Sequence, residues 1–129
     1  MKRLLVLCLA VFLAACGQKP IYNVDRPMPQ AAQSLPLDGI ERLIVEAGQT
    51  RGWKFDRIDA GHLTATQSQA KYSAIVDIYF DQKSWRIDYR SSVGLKADNG
   101  EIHDHYNFWI RNLEHDIDSR LSNAWLPAH

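Results

Sequence analysis

Between residues 53 and 90 the large apolar side chains recur at every second position, and on either side of that stretch they recur at the three-to-four spacing of a helix. The pattern predicts strands flanked by one helix on each side. Ile40, Leu43, Ile44 and Ala47 share one helical face, and Asp38-Gly39-Ile40-Glu41 ahead of them has the spacing of a capping box. A first helix of about 12 residues is therefore expected from Asp38, ending near Gly52, where a left-handed residue suits a helix terminus. Adding residue numbers across candidate turns then pairs the strands. A turn over 81–84 sets Phe80 opposite Trp85, Ile78 opposite Ile87 and Val76 opposite Tyr89. A turn at Ser68-Gln69 sets Tyr72 opposite Ala65 and Ala74 opposite Leu63, and a three-residue turn ending at Gly61 brings Phe55 and Trp53 to the same face. Arg57 breaks that alternation, which fits a strand end from which its long stem reaches water. Beyond Asp98-Asn99-Gly100, a turn by composition, Ile102, Tyr106, Trp109, Ile110, Leu113, Ile117 and Leu121 form one broad stripe of a second helix over 102–124.

These elements predict an α+β fold: a four-stranded antiparallel meander with the N-terminal and C-terminal helices packed on one face, over residues 38–126. About 90 residues with large apolar side chains in each layer are enough to fold without staples. None are available within the domain, since the two cysteines, Cys8 and Cys16, both precede it.

The first residues follow a different rule. Met1-Lys2-Arg3 is positive, residues 4–12 are uninterruptedly apolar, and Leu13-Ala14-Ala15-Cys16 closes the run. An apolar stretch this short does not cross roughly 30 Å of hydrocarbon, which takes about 20 residues, but it suits a leader removed after export. Leu13, two small residues and a cysteine resemble the lipobox of bacterial lipoproteins. The resemblance covers the leader alone. It implies cleavage after residue 15, a diacylglyceryl group on the Cys16 sulfur and an acyl group on its new amine, which together attach the chain permanently to a membrane. Gly17 and Gln18, rather than an aspartate, follow the cysteine, and by the family's sorting rule this implies the outer membrane, with the domain facing the periplasm.

From residue 16 to residue 37 Pro20, Pro27, Pro29 and Pro36 interrupt any regular element, so the segment is expected as a tether holding the domain away from the bilayer. Its alternative is to pack on the domain through Ile21 and Tyr22. Ile102-His103, Tyr106-Asn107, Trp109-Ile110 and Asn112-Leu113 are similar to the terminal helix of a group of small proteobacterial envelope lipoproteins, loosely over residues 38–121. That resemblance implies a fold and a location, and no chemistry.

Charge narrows the partner. The 129-residue chain carries 15 basic and 15 acidic residues, and loss of Lys2 and Arg3 with the leader makes the mature form mildly acidic. No basic stripe is left for a nucleic acid. Glycine-rich phosphate loops, helical histidine pairs spaced for zinc, paired-cysteine motifs and nucleophile elbows do not occur, so no cofactor or metal is expected.

Three groups remain. Ser91, Ser92, His103, Asp104 and His105 are close in sequence, which permits a hydrolase as the third-ranked reading; the plainer account is turn and helix-start chemistry. Asp77 and Asp88 fall opposite each other on the outward sheet face, where they either share a cation or join Arg86 and Arg90 in a solvated ladder, the favoured account. Phe108 projects away from the helical stripe among Asp104, Arg111 and His115. An aromatic anchor in a polar rim reads as a partner-binding patch, unless Trp125 or the tether covers it. Tyr79 with Ile75 is a weaker patch of that kind.

The expected function is thus a non-catalytic domain that binds another envelope protein. The alternative is a binder of a small or lipid-like ligand between sheet and helices, lined by Trp53, Trp85 and Trp109.

Overall fold

The computed structural model describes residues 18–125. The leader and Cys16 lie outside the described residues. The elements run β1 (Gln18–Pro20), β2 (Val24–Pro27), a 3-10 turn (Gln30–Ala32), α1 (Leu37–Gln49), β3 (Lys54–Asp59), β4 (His62–Gln69), β5 (Tyr72–Phe80), β6 (Ser84–Val93), β7 (Glu101–His103) and α2 (Asp104–Ser122). The fold is α+β, with α1 and α2 packed together on one face of an antiparallel sheet. The sheet has five strands in the order β2-β6-β5-β4-β3, one more than the periodicity predicts, and β1 pairs with β7 in a separate ribbon.

The fifth strand comes from the segment expected as a tether, and that expectation is corrected. Val24 lies opposite Ile87 and Arg26 opposite Trp85, so β2 extends the sheet beyond β6. Val24, Met28 and Ala32 are buried in the common core. Prolines did not prevent this, because Pro27 ends an edge strand, where its missing N–H faces no partner. Polar clamps complete the attachment: buried Asn107 accepts from the Tyr22 N–H and donates to the Pro20 carbonyl, both at 2.9 Å. The Tyr22 hydroxyl donates to Glu114 at 2.6 Å, and Arg26 reaches Glu114 and Asp118.

The hairpin of β5 and β6 has the expected register, with Phe80, Ile78 and Val76 opposite Trp85, Ile87 and Tyr89. The hairpin of β4 and β5 does not. Ala65 lies opposite Val76 and Leu63 opposite Ile78, and the turn falls at Ala70-Lys71, where Ala70 takes a φ of 45°. The two registers differ by four residues, an even number that leaves the same side chains facing the helices, so hydrophobic alternation does not separate them. In β3 a bulge between Arg57 and Asp59 leaves Ile58 out of the ladder and exposed.

The helix starts also differ from expectation. Pro36 caps α1 and no side chain completes a capping box; Asp38 and Glu41 instead engage Arg57 on β3, at 3.8 and 3.2 Å. At the other end Gly52 takes a φ of 86°, as a helix terminus requires. Ile102 stays in β7, and α2 begins at Asp104 with the other six residues of the stripe buried.

Candidate functional site

The largest cleft among those described, about 680 Å³, opens beside the first two turns of α2. Its position follows from the helix start. His103 is the N-cap, and its Nδ1 accepts the His105 N–H at 3.1 Å, which puts the ring hydrogen of neutral His103 on Nε2. The cap turns both imidazoles toward β5, where Tyr72 stacks on His103 at 6.0 Å and meets His105 at a tilt at 5.3 Å. One turn on, Trp109 meets His105 edge-on at 6.2 Å, the contact that i, i+4 spacing allows. Trp53, at the junction of α1 and β3, supplies the other aromatic surface. Arg51, Gln67, Gln69 and Asn112 add amides and a cation. Two of these are already committed: Arg51 pairs with Asp116, and Gln67 donates to the Arg51 carbonyl at 3.0 Å.

Phe108 belongs to this cleft. Its ring is 63 % exposed at the rim, whereas Trp109 and Trp53 are only 7 % and 2 % exposed. Neither Trp125 nor the N-terminal segment lines the cleft with it. Of the other residues grouped with Phe108 from the sequence, Asp104 lines the same cleft. Arg111 lies in a second depression, which Asp104 also lines, with Lys19, Ile21 and Tyr22, its guanidinium 4.9 Å above the Tyr22 ring. His115 is exposed and lines neither. The helix sets all four at i, i+4, i+7 and i+11 along its outer side, while only Asp104 and Phe108 share the cleft.

The serines and histidines do not form a nucleophile–base pair among the described residues. Ser92 Oγ shares a hydrogen bond with Tyr89 Oη at 2.9 Å, and the acceptor nitrogen of His103 is occupied by the cap. Trp85, 1 % exposed, is a core residue of β6 opposite Arg26 of β2 and lines none of the described clefts.

On the outward sheet face Asp77 and Asp88 are opposite each other, as expected, and each carboxylate has its own cation. Asp77 meets Arg90 at 3.2 Å and Asp88 meets Arg86 at 3.1 Å. The sequence did not show that His62 also reaches Asp77, at 2.7 Å, because that contact depends on the β4–β5 register. His62 and Arg86 both lie 4.2 Å from the Tyr79 ring, so Tyr79 is part of a stacked row across three strands. Among the described residues no cluster of three histidines, cysteines or carboxylates is arranged to hold a metal, and no helix is long and apolar enough to cross a membrane.

Buried polar chemistry is otherwise sparse. The Tyr106 hydroxyl is sealed in the core without a hydrogen-bond partner, and burial raises its pKa far above the ordinary phenol value. The Tyr22 hydroxyl is also raised, chiefly by its hydrogen bond to Glu114 and then by burial. No family model, curated protein or solved structure matches the chain.

Proposed function

We propose that this chain is an envelope lipoprotein, held at the outer membrane by lipid on Cys16, whose domain is a non-catalytic module that binds another envelope protein through the cleft beside α2. One observation carries the reading: the Phe108 ring stands 63 % exposed at the rim of a cleft whose floor is aromatic. Exposed rings with a desolvated aromatic surface beside them and polar groups around them are where binding energy concentrates in protein interfaces. Asp104, His105 and Asn112 supply that polar surround. Arg111 and His115 continue the same side of the helix beyond the cleft.

A second reading is favoured by the floor itself. Trp53 and Trp109 beside the amides of Gln67, Gln69 and Asn112 suit a small ligand with one flat apolar face and several polar groups. Among the described clefts, the one that suits such a ligand lies at the side of the fold beside α2.

The test is site-specific photocrosslinking in cells with the probe at position 108, using lipidated protein and a control at the exposed Gln82. One discrete protein adduct from 108 and none from 82 is expected. The same adducts from both positions, or no protein adduct from 108, overturn the protein-binding reading. A non-protein mass retained by the native domain, and lost in Trp53→Ala, supports the second.

A further inference from the structure

The N-terminal segment has a consequence for how the domain stands on its membrane. Gln18 is already a strand residue of the fold, paired opposite His103. Only Gly17 separates it from Cys16, and two residues reach at most about 7 Å. A lipid on Cys16 therefore leaves no leash: the end of the domain at which β1 begins lies against the headgroups. That end is well defined. β1 runs antiparallel to β7, so the chain before Gln18 emerges beside the first residues of α2. The β4–β5 turn is there too, because the Tyr72 ring contacts those of His103 and His105. So is the end of β6: Val93 pairs with Ser73, and Gly94, at a φ of 80°, lies so close to the Lys71 carbonyl that a Cβ would overlap it. Leu95 then accepts the His103 N–H.

The chemistry of this end is mixed, with unpaired lysines and one exposed aliphatic side chain that suit a phospholipid surface. Among the described residues, seven of the eight arginines are within 4.0 Å of a carboxylate and the eighth, Arg111, lies over Tyr22. None of the described lysines has such a partner. Three of these lysines cluster where the chain leaves: Lys19 on β1, Lys71 in the β4–β5 turn and Lys96 just after Gly94, all exposed. Val93, 68 % exposed, is the large apolar side chain among them. The exposed carboxylates of Asp98, Glu101 and Asp104 stand at the same end, Asp98 and Glu101 beside Lys96 and Asp104 beside Lys19, so the two-residue connection to Cys16 rather than net charge sets the approach to the headgroups, with the ammonium groups and Val93 as the contacts they favour.

We infer that the domain docks on the phospholipid bilayer through the end formed by Lys19, Lys71, Val93 and Lys96, with α2 rising from the surface and its cleft opening just above the headgroups. Phe108 is four residues past the start of α2, about 6 Å along its axis. A partner that enters the cleft is then met at the membrane surface, not in the open periplasm. The inference rests on the reading of Cys16 as the lipid anchor and extends it.

The test uses the lipidated mature chain in vesicles of phosphatidylethanolamine and phosphatidylglycerol that carry a quencher on the headgroup. A fluorophore is placed on Gln69→Cys, at the docked end, or on Gln82→Cys, at the opposite end of β5; acylated Cys16 does not react. The nine residues of β5 separate the two sites by about 30 Å. Position 69 should lose its fluorescence and position 82 should keep it. Equal loss at both, or greater loss at 82, overturns the orientation while leaving the anchor intact, as flotation of the protein with the vesicles would show. Protein that does not float overturns the anchor and the orientation with it. Combining Lys19→Glu, Lys71→Glu and Lys96→Glu should reduce the loss at 69 without preventing flotation; an unchanged loss removes the lysines from the contact.

Discussion

Asn107 decides whether residues 18–36 are a leash or part of the domain. Its side chain is 2 % exposed and spends both ends of the amide on that segment, accepting from the Tyr22 N–H and donating to the Pro20 carbonyl. Asn107→Ala removes two hydrogen bonds, each contributing about 1 kcal/mol net, and strands a part-buried N–H at a further cost of about 1 kcal/mol or more. The expected loss is about 2–4 kcal/mol. The damage should be local at first, because Val24 and Met28 remain in the core. Urea unfolding monitored by tryptophan measures the global loss, and amide exchange resolves its location. Protection should fall on the Ile21 N–H, which donates to the Gly100 carbonyl, and on the N–H groups with which β2 pairs to β6. A loss below about 0.5 kcal/mol, with exchange at residues 18–27 already fast in the parent chain, would refute the account. It would restore the tether, and the proposed orientation at a membrane would fall with it.

Two further outcomes follow from the polar interior. Tyr106→Phe removes a buried hydroxyl that has no partner, so the variant should be as stable as the parent or more stable by about 1 kcal/mol; a loss of that size in denaturant unfolding would mean the hydroxyl has a partner. The Tyr22 phenol is raised from its ordinary 10.0 by Glu114 and burial. Its stabilisation is therefore fully present below about pH 10 and is lost as pH rises through the folded-state value. Stability measured from pH 8 to 11 should decline less steeply in Tyr22→Phe, and identical slopes would remove Tyr22 from the alkaline transition.

What could be read from the sequence was local and periodic. The stripe from Tyr106 to Leu121 and the face of Ile40, Ile44 and Ala47 are buried, because amphipathic helices specify their covered side residue by residue. The β5–β6 register was readable since its turn is marked: Asp81 accepts from the Lys83 and Ser84 N–H groups at 2.7 and 2.9 Å. The β4–β5 turn at Ala70-Lys71 carries no such residue, and period two does not distinguish registers an even number apart. His62 was hidden with it, because its contact to Asp77 exists in one register only.

The lipobox reading of Cys16 depends on consecutive residues, so it belongs to the sequence alone. The course of the following segment does not. Its partners Asn107 and Glu114 stand more than 80 positions away, and prolines that look like breaks locally are accommodated at an edge strand and a helix cap. The cleft is of the same kind: Trp53, Gln67, His103 and Phe108 come from four separate elements or their junctions. Sequence determined which faces are apolar, because that is settled within a few residues. Tertiary structure decided which polar and aromatic groups meet, because those contacts arise only when the layers close.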